Sequence, residues 1–175
     1  IRTYMEEIHA LGKITDNEYF YYLASLINSI DKYANTASVY AAFLKHIKKT
    51  AARDFQLTLL PVISGKTGKV YNEDVNVLIK IIQGDILYLD PPYNTRQYSA
   101  NYHILETIAR YDSPKLRGIT GMRDYKDQKS TFCSKRTVCE TFNDLIKNAD
   151  FKYIFLSYNN EGIIPVDRIS EIMSG

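Results

Sequence analysis

The stretch Asp85-Ile86-Leu87-Tyr88-Leu89-Asp90-Pro91-Pro92-Tyr93-Asn94 limits what this chain can fold into more than any other. Its apolar run, Ile86 to Leu89, is too short for a helix. It reads as a strand buried on both faces, as in a parallel sheet. The two prolines that follow lack backbone donors and have a fixed φ, so no ladder continues through them. Asp90 is therefore expected at the carboxyl end of a parallel strand, where open α/β sheets bind their ligands. Tyr93 follows on a rigid turn that holds its ring away from the core.

A carboxylate accepts hydrogen bonds and so does the carbonyl of Pro91. Side by side, the two acceptors match a planar amino group with two N–H bonds, and drawing on both hydrogens turns its lone pair into a nucleophile. The ring of Tyr93 can stack on the base that carries the amino group, a contact of about 1–3 kcal/mol per base. Asp90-Pro91-Pro92-Tyr93 resembles the catalytic motif of S-adenosylmethionine-dependent amino-methyltransferases, in particular the Dam-like DNA adenine methyltransferases. That resemblance implies an α/β fold with a Rossmann-like methyltransferase sheet, incomplete in this chain, and an inserted helical lobe. It implies S-adenosyl-L-methionine as cofactor, double-stranded DNA as partner and adenine as target. Asp90, Pro91, Pro92 and Tyr93 take the catalytic positions, with Asp90 also facing the cofactor.

The chain has 175 residues, 45% of them hydrophobic, enough for one domain with an appended lobe. A net charge of +2 means that any case for nucleic acid must be local. Three histidines and two cysteines make no zinc pattern, so no metal is expected, and Cys133 and Cys139 read as free thiols. No apolar run reaches membrane length. The expected setting is the cytoplasm of a prokaryote or a phage-infected cell. A restriction–modification role would set the enzyme beside a cognate endonuclease, and no stable protein partner is implied.

Residues 1–54 read as a helical lobe for DNA binding or target recognition. Ile1, Met5, Ile8 and Leu11 share a helix face that ends at Gly12. Thr15 with Glu18 is a capping-box signature for a second helix that turns Leu23, Leu26, Ile27, Ile30 and Tyr33 inward. The spacing of Val39, Tyr40, Phe43, Leu44 and Ile47 predicts a third helix from Thr36, with Lys45, Lys48, Lys49 and Arg53 on its other face. That face is either simply solvated or, for Lys45 and Lys49, set against DNA phosphates.

Residues 55–175 read as the partial α/β catalytic domain. Phe55–Ile63 is strand-like. Gly65-Lys66-Thr67 is not a phosphate loop, because Leu60 stands where the pattern needs its first glycine. A strand end at Lys69–Asp74, a helix carrying Val77, Leu78, Ile81 and Ile82, and the strand ending at Asp90 make a predicted βαβ unit. Asp74 resembles the family's acceptor for the adenine amino group of the cofactor; a helix cap explains the residue equally.

Beyond the turn, Asn94, Arg96 and Tyr98 lie in a loop expected to meet the target base and its flanks. Ser99 is placed to cap a helix with Tyr102, Leu105, Ile108 and Ala109 inward. Residues 113–136 form a polar, basic stretch expected to be a long mobile loop, in which Arg123 is a candidate DNA contact. Thr137 and Glu140 suggest a second capping box. Lys152–Asn160 reads as a second buried strand whose polar tip, with Asn159, is implied to wall the target-base pocket. Pro165 opens a last helix.

The family's glycine-rich cofactor turn has no match among the eight glycines. The expectation is therefore an internal portion of a longer enzyme, weak in cofactor binding by itself. Two other readings stay open: an RNA methyltransferase acting on a guanine amino group, and a non-catalytic DNA-binding remnant.

Overall fold

The computed structural model describes residues 1–175 as a mixed α/β chain. It divides into two compact units, each assembled from two segments: Ile1–Lys66 with Tyr98–Lys126, and Thr67–Gln97 with Asp127–Gly175. The division is not a single break at residue 54, because the first unit also takes in 98–126. No helix is long and apolar enough to cross a membrane.

In the first unit, α1 (Arg2–Ala10) and α2 (Asp16–Tyr33) form where the sequence places them, but of the expected α1 face only Met5 is buried, and Ile1 and Leu11 flank the helix exposed. The capping box of α2 is complete: Thr15 Oγ1 accepts from the Glu18 N–H, and the Glu18 carboxylate accepts from the Thr15 N–H at 2.8 Å. The inner face of α2 is nevertheless centred on Ser25, Leu26 and Ser29. The reason is that Phe55–Ile63 is not a strand. Residues 58–60 of it are held to α2 instead, where Ser29 Oγ accepts from the Thr58 N–H (2.9 Å) and donates to the Thr58 carbonyl (3.2 Å). Ser25 Oγ accepts from the Leu60 N–H at 3.1 Å, and Tyr21 donates its hydroxyl to the Leu60 carbonyl at 2.6 Å.

The third helix does not form. Residues 36–53 are turns and bends, with Ser38 in the left-handed region at φ 71°. Thr36 Oγ1 donates to the Val39 carbonyl, and the Tyr40 N–H is drawn 2.7 Å to Asn101 instead of into a helix. Only Tyr40 of the supposed inner face is buried; Ile47 is 75% exposed. The unit is completed by α4 (Tyr98–Asn101) and α5 (His103–Arg110). Ser99 caps nothing, since α4 begins a residue earlier and the Ser99 hydroxyl is buried without a partner.

The second unit holds the sheet. Strands β1 (Gln83–Leu89) and β2 (Asp150–Leu156) are parallel, in a register that runs from Gln83 opposite Asp150 to Leu89 opposite Leu156. The strand before Asp74 is not formed, so the predicted βαβ unit is replaced by this pair, and the preceding helix shrinks to one turn, α3 (Val75–Leu78). β1 is covered on one face only. Leu87, Leu89, Ile154 and Leu156 pack on Phe142 and Leu145 of α6 (Val138–Lys147) and Ile172 of α7 (Val166–Ser174). Ile86, Tyr88, Tyr153 and Phe155 stay more than half exposed on the other face.

The polar stretch 113–136 is structured rather than a featureless loop. Arg117 and Met122 form an antiparallel bridge, and short 3₁₀ turns cover Lys126–Gln128 and Thr131–Cys133, the second burying Phe132 and Cys133. Thr137 does not build a capping box: its hydroxyl donates to the Thr131 carbonyl at 3.0 Å, tying α6 to that turn.

Candidate active site

β1 stops at Leu89, where the prolines begin. Its last carbonyl accepts from the Ser157 N–H at 2.8 Å, so the ladder runs one residue past β2 and brings the two strand tips level. Asp90 projects from this point with its carboxylate open to solvent, Pro91 and Pro92 are half-buried, and Tyr93 is 38% exposed. The ring of Tyr93 is available while its backbone is pinned, because the Tyr93 carbonyl accepts from the Ile163 N–H at 2.8 Å.

The turn beyond is held residue by residue. Asn94 Oδ1 accepts from the Arg96 N–H at 2.9 Å, closing an Asx turn. The Arg96 carbonyl accepts from the thiol of Cys133 at 3.3 Å. Gln97 pairs its amide with the Ser130 backbone in both directions, Oε1 accepting at 2.8 Å and Nε2 donating at 3.1 Å. Burial pushes the Cys133 thiol pKa up, so it is a protonated donor at neutral pH.

The tip of β2 is equally fixed. Asn159 Oδ1 accepts from the Glu161 N–H at 2.7 Å and its carbonyl accepts from the Gly162 N–H at 2.9 Å. The Tyr158 hydroxyl accepts from the Ile164 N–H at 3.2 Å. Gly162 is required by space: a Cβ there would lie 2.2 Å from Cε1 of Tyr158 and 2.8 Å from the Asn159 carbonyl oxygen. Asn159 uses its side-chain oxygen locally, which leaves its amide NH₂ as the group that can meet a ligand.

Asp90, Pro91, Pro92, Tyr93, Asn94, Arg96 and Asn159 thus share one end of one small sheet. Asp74 caps α3 through the Asn76 N–H at 2.9 Å, and Asn76 in turn bonds the Thr141 carbonyl and the Asp144 carboxylate of α6. Asp74 lines an open cavity of about 370 Å³ with Thr131, Glu140 and Asp144, and Asp90 is not part of that lining. Lys45, Lys49, Tyr98 and Arg123 belong to the other unit. Lys45 and Lys49 are exposed, but on an irregular segment rather than on a helix face. Arg123 is a correction: it is 6% exposed and locked to Asp112, not displayed for DNA. Sequence reasoning did not find the partners that hold these turns, Ser130 for Gln97 and Tyr158 beside Gly162, because nothing in local spacing announces them.

Toward S-adenosylmethionine the fit is partial. The Asp90 and Asp74 carboxylates are exposed acceptors, suited to the donors of that molecule, whereas no glycine of this chain forms a backbone cradle after an apolar strand.

Comparison with known sequences gives the family. Residues 3–172 match the family described as D12 class N6 adenine-specific DNA methyltransferase. The Type II methyltransferase M.NlaIII of Neisseria lactamica is 50% identical over 173 residues, covering 98% of this chain and 51% of that protein. The Modification methylase StsI of Streptococcus sanguinis is 41% identical over 99% of this chain and 27% of its own length. The Type II methyltransferase M.FokI of Planomicrobium okeanokoites is 45% identical over 91% of this chain and 25% of its own. The chain therefore spans about half the length of the first of these relatives and about a quarter of the other two. No solved structure matches significantly. With its family match running nearly end to end and its Asp-Pro-Pro-Tyr turn on a parallel strand tip, the chain belongs to the D12 class of N6 adenine-specific DNA methyltransferases.

Proposed function

We propose that this chain carries the target-base side of an active site that methylates the exocyclic amino group of adenine in duplex DNA. When bound, S-adenosylmethionine supplies an electrophilic methyl group. The Asp90 carboxylate and the Pro91 carbonyl would accept the two N–H bonds of the amino group and turn its lone pair outward as a nucleophile. Tyr93 stacks on the base, offsetting part of the few kcal/mol that extrusion from the duplex costs. Pro92 keeps the turn rigid. Asn94, Arg96 and Asn159 flank the base, and Asp74 and Asp90 are the acceptors for cofactor donors. The sheet is the visible part of a Rossmann-like methyltransferase sheet, into which the first unit is inserted as a helical lobe. Tyr98, Lys45 and Lys49 face the duplex from that lobe, together with the exposed Lys115 and Arg117.

The observation that carries this reading is the exposed Asp90 beside a ring whose backbone is pinned across the two strand tips. The family and the relatives' names support adenine in DNA over a guanine amino group in RNA. They support a modification role opposite a restriction endonuclease, in the cytoplasm of a bacterium or an infected cell. In the full-length enzyme, Asp90→Ala abolishes methyl incorporation into duplex DNA while duplex affinity stays within about threefold, because removing a carboxylate takes away no phosphate contact. Methylation at the wild-type rate by that variant would end the proposal.

A further inference from the structure

We infer that Asp112 and Arg123 are a positioning pair that holds a duplex-facing hairpin at residues 117–122 in its working shape; this rests on the DNA-methylation reading above.

The pair closes the base of a small structure. Arg123 donates Nη1–H to Asp112 Oδ1 at 3.1 Å and Nη2–H to Oδ2 at 2.6 Å, a bidentate fork with the guanidinium only 6% exposed. Just inside it, the Arg117 N–H donates to the Met122 carbonyl at 2.9 Å and the Met122 N–H returns to Arg117 at 2.7 Å. The turn between them, Gly118-Ile119-Thr120-Gly121, takes φ values of +69° and +64° at its two glycines, a backbone that side-chain-bearing residues adopt at a cost. Lys115, Arg117 and Ile119 are exposed, Ile119 at 76%. A basic loop with one apolar tip is thus presented from a tied neck.

The neck is itself anchored. Asp112 follows Tyr111, which ends α5 in the left-handed region at φ 52°. The Tyr111 ring lies under the Arg2 guanidinium, 4.8 Å from its centroid, and its hydroxyl is 2.6 Å from Thr3 Oγ1. Arg2 also donates to the carbonyls of Ile108 and Ala109 at the end of the same helix. Asp112 is therefore fixed from α1 and α5, and Arg123 transmits that fixity to the far arm of the hairpin. A bound phosphate would need Arg123 to leave a carboxylate that already satisfies its fork, so direct DNA contact is the poorer use of this residue.

The two roles differ in sign. If Arg123 touched DNA, Asp112→Asn would free it and tighten binding. As a positioning pair, Asp112→Asn loosens the hairpin and weakens binding even though a negative charge is removed. The test is affinity of the full-length enzyme for a mixed-sequence DNA duplex across salt concentrations, with Arg123→Met, Arg123→Lys, Asp112→Asn and the double variant Asp112→Asn/Arg123→Met. The expected result is a loss of about tenfold for Asp112→Asn and for Arg123→Met, from ordering the hairpin at the moment of binding. The double variant loses no more than either single one, because both remove the same contact. Arg123→Lys, which keeps the charge without the fork, falls between. The slope of log affinity against log salt stays as in wild type for Arg123→Met, whereas Arg117→Met lowers it by about 0.9.

Asp112→Asn binding as tightly as wild type or tighter, or an Arg123→Met slope lowered like that of Arg117→Met, would overturn the inference and leave the methylation reading standing. A wild-type enzyme with no salt-dependent affinity for duplex DNA would overturn both.

Discussion

Gly162→Ala puts one methyl group into the turn that fixes the tip of β2. The new Cβ would stand 2.2 Å from Tyr158 Cε1, 2.8 Å from its Cζ and 2.8 Å from the Asn159 carbonyl oxygen. Carbon atoms in contact sit about 3.5–4.0 Å apart, so the ring must retreat by more than an ångström. It has little room to do so, since it packs on the core around Ile164, and its hydroxyl accepts the N–H of that 3%-exposed residue. Forced overpacking costs about 1–3 kcal/mol, and a ring swing that orphaned the Ile164 N–H would cost a similar amount. With about 2.1 cal/mol/K of unfolding entropy per residue, a protein about twice this chain's length melts roughly 1–4 °C lower in a thermal scan. The turn also carries Ile163, which pins Tyr93, so the apparent KM for DNA rises in the same variant. Gly65→Ala is the matched control: nothing lies within 4 Å of a Cβ there, and its melting temperature stays put. A Gly162→Ala protein with an unshifted melting temperature and unchanged kinetics would show that Tyr158 does not occupy the space beside this turn.

Two further outcomes follow from buried ionisable groups. His103 is fully buried with Nδ1 unpartnered, and burial lowers its pKa from the ordinary value. The unfolded chain therefore binds a proton near pH 6.5 that the folded chain refuses, so this residue's contribution is complete above that pH and is lost as pH falls toward the lowered folded value. Urea unfolding from pH 7.5 to 5 should show stability falling with pH by up to one proton's slope, and His103→Gln should flatten it; a slope unchanged by that substitution counts against the buried neutral imidazole. Cys133, whose thiol burial pushes upward and which donates to the Arg96 carbonyl, should react with iodoacetamide far more slowly than the half-buried Cys139 in the native enzyme at pH 7.5. Equal labelling of the two by mass spectrometry would contradict that bond.

What the sequence made legible is what neighbouring residues decide between themselves. The end of β1 at Leu89 follows from two consecutive prolines, and the start of α2 from Thr15 and Glu18, three residues apart. Where an N–H is claimed by a distant partner, local pattern misleads. Val39 to Ile47 keep helical spacing, yet Tyr40 bonds Asn101, and the left-handed Ser38 rules out a helix through that turn. Thr137 and Glu140 have capping-box spacing, but Thr131 takes the hydroxyl. Within the candidate site, the position of Asp90 and Tyr93 just past a strand end was readable because two prolines stop β1 locally, whereas the bond from Ile163 that pins Tyr93 comes from seventy residues on. Arg123 was misread because Asp112, eleven residues away, follows no helical or strand period that would announce the pair.

The contact between α2 and residues 58–60 has a consequence of measure. Ser25 and Ser29 are four residues apart on a helix, a rise of about 6 Å. Leu60 and Thr58 are two apart on an extended chain, a span of about 6.6 Å. The near-match lets one helix serve as the hydrogen-bonding rail of a strand, with two hydroxyls standing in for two carbonyls. Such a rail accepts the segment in a single phase, since a slip by one residue would present side chains where the serines meet amides. The irregular stretch between Tyr33 and Phe55 thus ends on a segment whose facing toward α2 is set by the two serines.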